Sequence, residues 1–236
     1  MQRSLARAVE RGKTSADAAD QALALLKTGT DWQALAEASF IIEAVPEQVD
    51  LKTSVFERAS AIAPHAVLAS NTSSIPIARL AAAAVDPGRV IGMHFFHPVP
   101  VMRLVEVVPA IRTTSTTIDA VEALAARLEC ATIRSADRAG FIVNTLLMPY
   151  LMSAIRMLES GHATADDIDA GMVRGCGHPM GPIALADFIG LDTCLAIAES
   201  LYAEYGDPSM LPPPLLRRMV EAGLLGRKSG RGFREH

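Results

Sequence analysis

The sequence predicts an α/β layer followed by an all-α region, and three observations carry the prediction. Through Asp137, short apolar runs alternate with segments of helical periodicity; beyond Gly140 only helical periodicity remains. Half the residues are apolar and a fifth are charged, an ordinary globular composition, so 236 residues make one large domain or two modest ones. Strands alternating with helices imply βαβ units and a mostly parallel sheet covered on both faces. The change of character divides the chain into domains 1–137 and 138–236.

The elements follow in order. Leu5, Ala8 and Val9, then Ala18, Ala22, Leu25 and Leu26, recur at helical spacing on either side of Gly12-Lys13-Thr14-Ser15, which reads as a helical hairpin. Ser39–Val45 is an apolar run closed by Pro46, hence a strand, and Asp50–Ile62 has helical periodicity. Ala66–Ala69 is strand-like and runs into the polar Ser70-Asn71-Thr72-Ser73-Ser74. Ile75–Ala84 reads as a helix with Pro76 tolerated in its first turn. Arg89–Phe96 and Leu104–Val108 are strands, Thr116–Leu128 an amphipathic helix and Ala131–Ser135 a last strand. Phe141–Leu158, Thr164–Val173, Ile183–Tyr202 and Pro214–Ala222 read as helices.

Composition narrows the function classes. The net charge of −4 comes without a Lys/Arg block, so nucleic acid and anionic membrane are poor partners. No apolar run approaches the ~20 residues of a membrane span, and Met1–Leu5 lacks the apolar core of a signal peptide. Cys130, Cys176 and Cys194 are odd in number, far apart and without metal-ligand spacing. Neither a disulfide framework nor a metal site is expected, and a cytoplasmic location is.

The chemistry concentrates in Gly92–Glu106. His94 ends a strand-like run, and beyond a Pro-containing turn Glu106 stands alone in an apolar run. A carboxylate there is costly to bury unless paired. An imidazole brought alongside by the turn would make it half of an oriented general base near neutral pH. The alternative is a satisfied core histidine with Glu106 paired to Arg103 or Arg112. The Ser70–Ser74 loop lies where ligands bind in open α/β sheets; alternatively Ser73 or Ser74 only caps a helix. Asn144, in the apolar run Phe141–Leu147, needs partners, either structural or a substrate carbonyl. His97 has no third ligand at metal spacing. The Gly171–Gly181 and Gly226–Gly232 glycines match neither a dinucleotide fingerprint nor a Walker loop.

Together these segments resemble the 3-hydroxyacyl-CoA dehydrogenase family. The matching stretches are Ile42–Glu47 with Lys52 and Phe56, Ala69–Ser74, Gly92–Glu106, Gly140–Asn144, Pro179–Pro182, Asp187–Asp192 and Gly226–Phe233, in family order over nearly the whole chain. The resemblance implies a Rossmann-type NAD-binding domain and a helical domain like the C-terminal domain of 6-phosphogluconate dehydrogenase, through which the chain forms a homodimer. It implies NAD-dependent oxidation of (S)-3-hydroxyacyl-CoA to 3-oxoacyl-CoA, in fatty-acid β-oxidation or butanoate metabolism. By family position His94 is the general base and Glu106 its partner, with Ser73 and Asn144 on the reacting oxygens. Glu47, Lys52, Ser73, His97 and Lys228 would line the NAD site, and Ser4 and Arg11 the CoA phosphate end. Met102, Leu147, Met148 and Met152 are candidates to line the acyl site.

The chain departs from the family pattern in three places. The opening strand and glycine-rich βαβ segment of the family are not found, so an N-terminally truncated Rossmann-type domain is expected. That departure admits an alternative, a non-catalytic acyl-CoA-binding or dimerisation remnant. His97 stands where the family has asparagine, and Thr145 where it usually has arginine.

Overall fold

A computed structural model describes residues 2–236. Five strands form one sheet in the order β1 Phe40–Glu43, β2 Val67–Ser70, β3 Val90–Phe95, β4 Leu104–Pro109 and β5 Ala131–Arg134. The pairs β1–β2, β2–β3 and β4–β5 are parallel, while β3 and β4 run antiparallel. Connection length explains the exception. A parallel return needs a crossover of about a dozen residues or more. Only the turn Phe96–Arg103, which holds the single helical turn α5 Val99–Met102, joins β3 to β4, so the chain doubles back.

Alternation along the strands separates two cores. Leu68, Val90 and Val108 face α3 Val49–Ile62 and α4 Ile77–Ala81, packing with Phe56, Ile77 and Leu80. Val67, Ala69, Ile91, Met93, Val105 and Val107 face α6 Ser115–Arg127, packing with Val121 and Ala125. β2 is buried throughout, which is why it reads as an unbroken apolar run. Gly92 lets α4 approach the sheet: a Cβ there would lie 2.8 Å from Val108 Cβ and 2.9 Å from Ile77 Cδ1. His94 and Glu106 share this α3/α4 face by the same alternation.

The hairpin α1 Gln2–Glu10 and α2 Ala16–Ala24 precedes the sheet, with Ser15 accepting the Ala18 N–H as the α2 cap. Thr114 caps α6 in the same way. The second half is helical: α7 Val143–Glu159, α8 Ala165–Ala170 continued by a π-helical turn Gly171–Gly175, α9 Pro182–Ile189, α10 Leu191–Tyr205 and α11 Pro214–Glu221. Its core joins Met148, Leu151, Met152, Ile155, Ile183, Leu191, Leu201 and Leu216. No helix among the described residues is long and apolar enough to cross a membrane.

Several boundaries differ from the sequence reading. The predicted helix Ile183–Tyr202 is two helices, because Gly190 adopts φ +103 between them. The predicted helix Thr164–Val173 keeps α-geometry only to Ala170. α7 begins at Val143 rather than Phe141, since Gly140 and Phe141 both take positive φ. Met148 and Met152 lie in the helical core rather than at a ligand site, and Met102 is half-exposed.

Candidate active site

The β3–β4 register sets His94 directly opposite Glu106. The His94 Nδ1 lies 2.6 Å from Glu106 Oε2, with the carboxylate fully buried. The other carboxylate oxygen, Oε1, accepts the N–H groups of Ile142 and Val143 at 3.0 Å each. Glu106 thus caps α7 from β4, giving the helix the acceptor its own N-cap residue does not supply. The alternative pairing with Arg103 is not formed: that guanidinium donates to Glu129 on the surface. A carboxylate can only accept, so in a neutral imidazole paired to it the Nδ1 position carries the proton and Nε2 keeps a lone pair. That nitrogen faces the Ser73 hydroxyl at 3.1 Å. The rings of Phe96 and Phe141 flank the imidazole with centroids at 4.7 and 5.6 Å.

Glu47 organises the polar loop after β2. Its Oε1 accepts the Thr72 hydroxyl at 2.5 Å, the Ser74 hydroxyl at 3.1 Å and the Ser73 N–H at 3.2 Å. Burial pushes the Glu47 carboxyl up, but the Thr72 hydrogen bond and the Lys52 charge outweigh it and hold the group below its ordinary 4.5. Asn71 Oδ1 accepts the Phe95 N–H at 2.8 Å, tying the loop to β3 one residue past His94. The capping alternative for Ser73 and Ser74 does not hold for α4. Asp137 supplies that cap, accepting the Ile77 and Ala78 N–H groups at 2.6 and 2.7 Å.

Beneath the loop lies a buried network the sequence reading missed. Glu43 Oε1 accepts Lys52 Nζ at 2.7 Å, and Oε2 accepts the Ser70 hydroxyl at 2.7 Å. Lys52 also donates to Val45 O at 3.0 Å and lies 3.2 Å from Glu47 Oε2. Its three ammonium donors are therefore committed within the protein, and the side chain is buried. The signal for Glu43 was present as an acidic residue closing the Phe40–Ile42 run, just before Pro46.

The other predicted residues are placed as follows. Asn144 stands in the first turn of α7, next to the Val143 amide that holds Glu106; its 7% exposed side chain has no protein hydrogen-bond partner among the described residues. His97 is exposed in the turn after β3. Lys228 pairs with Asp192 at the start of α10. Ser4 and Arg11 are exposed, on or just after α1, which packs chiefly on α2. The structure therefore joins His94, Glu106, Ser73, Glu47 and Lys52 in one hydrogen-bonded assembly with Asn144 beside it. It shows no such link to Ser4, Arg11 or His97. A cleft of about 500 Å³ opens from Ser73 and Glu47 toward Asp192, Thr193, Ile197 and Ser200 of α10, between the two halves of the chain.

An imidazole oriented by a buried carboxylate, beside a hydroxyl-lined cleft at the carboxyl ends of a Rossmann-like sheet, defines a class: nucleotide-dependent dehydrogenases of alcohols. Comparison with known proteins agrees. The profile for "3-hydroxyacyl-CoA dehydrogenase, NAD binding domain" matches residues 1–138, and that for the family's C-terminal domain matches residues 140–236. The chain belongs to the 3-hydroxyacyl-CoA dehydrogenase family, NAD-dependent oxidoreductases that act on CH–OH groups. A 3-hydroxybutyryl-CoA dehydrogenase of Mycobacterium tuberculosis is 50% identical over 98% of this chain and 82% of its own length. A probable 3-hydroxybutyryl-CoA dehydrogenase of Deinococcus radiodurans is 46% identical over 99% and 84%. Among solved structures, M. tuberculosis FadB2 superposes with a TM-score of 0.97 at 48% identity, over 99% of this chain and 83% of that one. The (S)-3-hydroxybutyryl-CoA dehydrogenase of Ralstonia eutropha superposes with a TM-score of 0.92 at 45% identity, over 99% and 83%. These matches favour the dehydrogenase reading over the non-catalytic alternative. They do not bear out the expectation of a truncated domain; the NAD-binding profile takes in residues 1–138, and the chain spans 82–84% of the length of these relatives.

The residues present suit the nicotinamide end of NAD. Glu47 stays ionised with its side chain 40% exposed, and Ser73, Thr193 and Ser200 add hydroxyls to the same cleft. A carboxylate and hydroxyls of this kind match the hydroxyl groups of a ribose.

Proposed function

We propose that the chain interconverts a short-chain (S)-3-hydroxyacyl-CoA and its 3-oxoacyl-CoA, with His94 as the general base. The observation that supports this most directly is the Ser73–His94–Glu106 chain of contacts, which leaves Nε2 as an acceptor at the cleft. In oxidation the 3-hydroxyl of the substrate takes the place of the Ser73 hydroxyl on Nε2 and gives up its proton there. NAD, when bound, supplies the acceptor for the hydride that leaves C3. Glu106 stabilises the imidazolium through Nδ1–H while the Ile142 and Val143 amides hold the carboxylate in place. Ser73 and Asn144 donate to the oxygen that becomes the carbonyl. In reduction the imidazolium returns the proton.

Glu47, with Ser73, His97 and Lys228, lines the cofactor side. Lys52 serves it from behind, by fixing Glu47. Ser4 and Arg11, exposed on the N-terminal hairpin, face the CoA phosphates. The relatives' names support a four-carbon acyl group. A homodimer through the helical domain is supported by Leu146, Met157 and Phe188, which that domain leaves exposed. A cytoplasmic location fits the thiol-only cysteines.

The test is acetoacetyl-CoA reduction followed by loss of NADH absorbance, with NADH binding measured separately by titration. Turnover that requires the CoA ester is expected. Absence of both turnover and NADH binding would overturn the assignment.

A further inference from the structure

One residue at the site has no part in the scheme above. Gly140 and Phe141 adopt left-handed backbone in succession, at φ +78 and +50. Glycine does so freely, but a phenylalanine there is uncommon and persists only where its surroundings over-determine it. Here they do. The Phe141 N–H donates to Arg138 O at 3.1 Å, and its carbonyl accepts the Thr145 hydroxyl at 2.7 Å. Two residues earlier, the Ala139 carbonyl accepts the Tyr205 hydroxyl at 3.0 Å. The chain at this point has already turned toward α7. Yet the Phe141 side chain reaches back into the core of the sheet layer, with Ile77, Leu80, Val90 and Val108.

Two consequences meet at the base. The left-handed turn aims the next two amides, Ile142 and Val143, at one oxygen of Glu106. The ring itself stands against the His94 imidazole, its plane tilted 59°. We propose that Phe141 is a positioning residue for the base, its backbone aiming the amides that hold Glu106 while its ring closes one face of His94. One residue then sets both the base and the first turn of the helix that carries Asn144. The inference rests on the dehydrogenase reading for its kinetic part.

Core filling alone would also bury a phenylalanine, so the test must separate the two roles. Phe141→Gly accepts the left-handed backbone but removes the ring. Phe141→Leu keeps apolar volume without the aromatic face. Thr145→Val removes only the hydroxyl that holds the Phe141 carbonyl. Each is compared with the unaltered chain for kcat, for both KM values, and for the His94 Nδ1–H resonance by ¹⁵N NMR, assigned by its loss in His94→Gln.

Because a base misplaced by about 1 Å loses up to ~100-fold in rate, kcat is expected to fall about tenfold or more in both Phe141 variants, with KM within about twofold. The Nδ1–H resonance is expected to shift and exchange faster with water. Thr145→Val is expected to move kcat and the resonance in the same direction by less. Folded variants with an unchanged resonance and kcat would overturn the proposal, as would kcat and KM worsening together in step with the melting temperature. If Phe141→Gly does not fold, Thr145→Val decides by the same criteria. If the unaltered chain does not turn over, the dehydrogenase reading has failed, and the resonance still decides the role of Phe141.

Discussion

Glu106 and Asp169 each cap the start of a helix from another element. Glu106 accepts the Ile142 and Val143 amides at the start of α7; Asp169 accepts those of Ile183 and Ala184 at the start of α9, at 2.8 and 3.0 Å. Each also faces a basic side chain: His94 at 2.6 Å in the first case, Arg234 at 2.9 Å in the second. The two differ in what that base can do next. Burial pulls Arg234 down, but Asp166 and Asp169 more than offset it, so the guanidinium never gives up its proton. Its other arm is held by Asp166. An imidazole, unlike a guanidinium, is able to exchange a proton, and the second nitrogen of His94 opens through Ser73 onto the cleft. A buried, amide-capping carboxylate is therefore no sign of chemistry by itself. The sign is a partner that can exchange a proton and has a free side.

This contrast can be broken by substitution. The largest effect is expected from His94→Ala, which removes a base of the kind that contributes ~10²–10⁴-fold to turnover. Steady-state kinetics should show kcat falling over that range with little change in acyl-CoA KM. Arg234→Ala should leave kcat unchanged and lower the melting temperature. A comparable loss of kcat in both would erase the distinction.

A smaller effect is expected from crowding the structural cap. A Cβ on Gly181 would stand 2.4 Å from the Cα, Cβ and Cγ of Asp169. Gly181→Ala should therefore cost about 1–3 kcal/mol in denaturant unfolding, the usual range for overpacking. Its kcat should match that of the unaltered chain.

The smallest effect concerns Glu47, whose pKa is held below 4.5 in the fold. A carboxyl lowered on folding adds stability that is full above its unfolded value and lost as pH falls through its folded one. Below about pH 4.5 the melting temperature of the unaltered chain should fall more steeply than that of Glu47→Gln. Parallel curves would show that the Thr72 and Lys52 contacts do not hold the carboxylate.

The pairing of His94 with Glu106 was legible in the sequence because both members sit on strands. Two-residue periodicity places His94 and Glu106 on one face, and a short turn can only bring them side by side. The family motifs then supplied a substrate for the base. Glu43 was hidden because its partners, Lys52 and Ser70, come from two other elements. Phe141 was hidden because positive φ has no reliable signal in a residue that is not glycine. The break at Gly190 was masked by apolar periodicity that continues on both sides of it, from Ile183 to Leu201. Asp137, which marked the domain boundary in the sequence, is also the cap of α4, a role only the tertiary contact reveals.

The most direct measurement sets Glu106→Gln beside Asp169→Asn, recording kcat for acetoacetyl-CoA reduction and the melting temperature of each. Each substitution turns one carboxylate oxygen into a donor and so loses an amide or its basic partner, at about 1–3 kcal/mol of stability. Turnover is expected to fall about a hundredfold or more in Glu106→Gln alone, and to stay at the level of the unaltered chain in Asp169→Asn. Equal turnover in the two variants would contradict the assignment of Glu106 and His94 as the base.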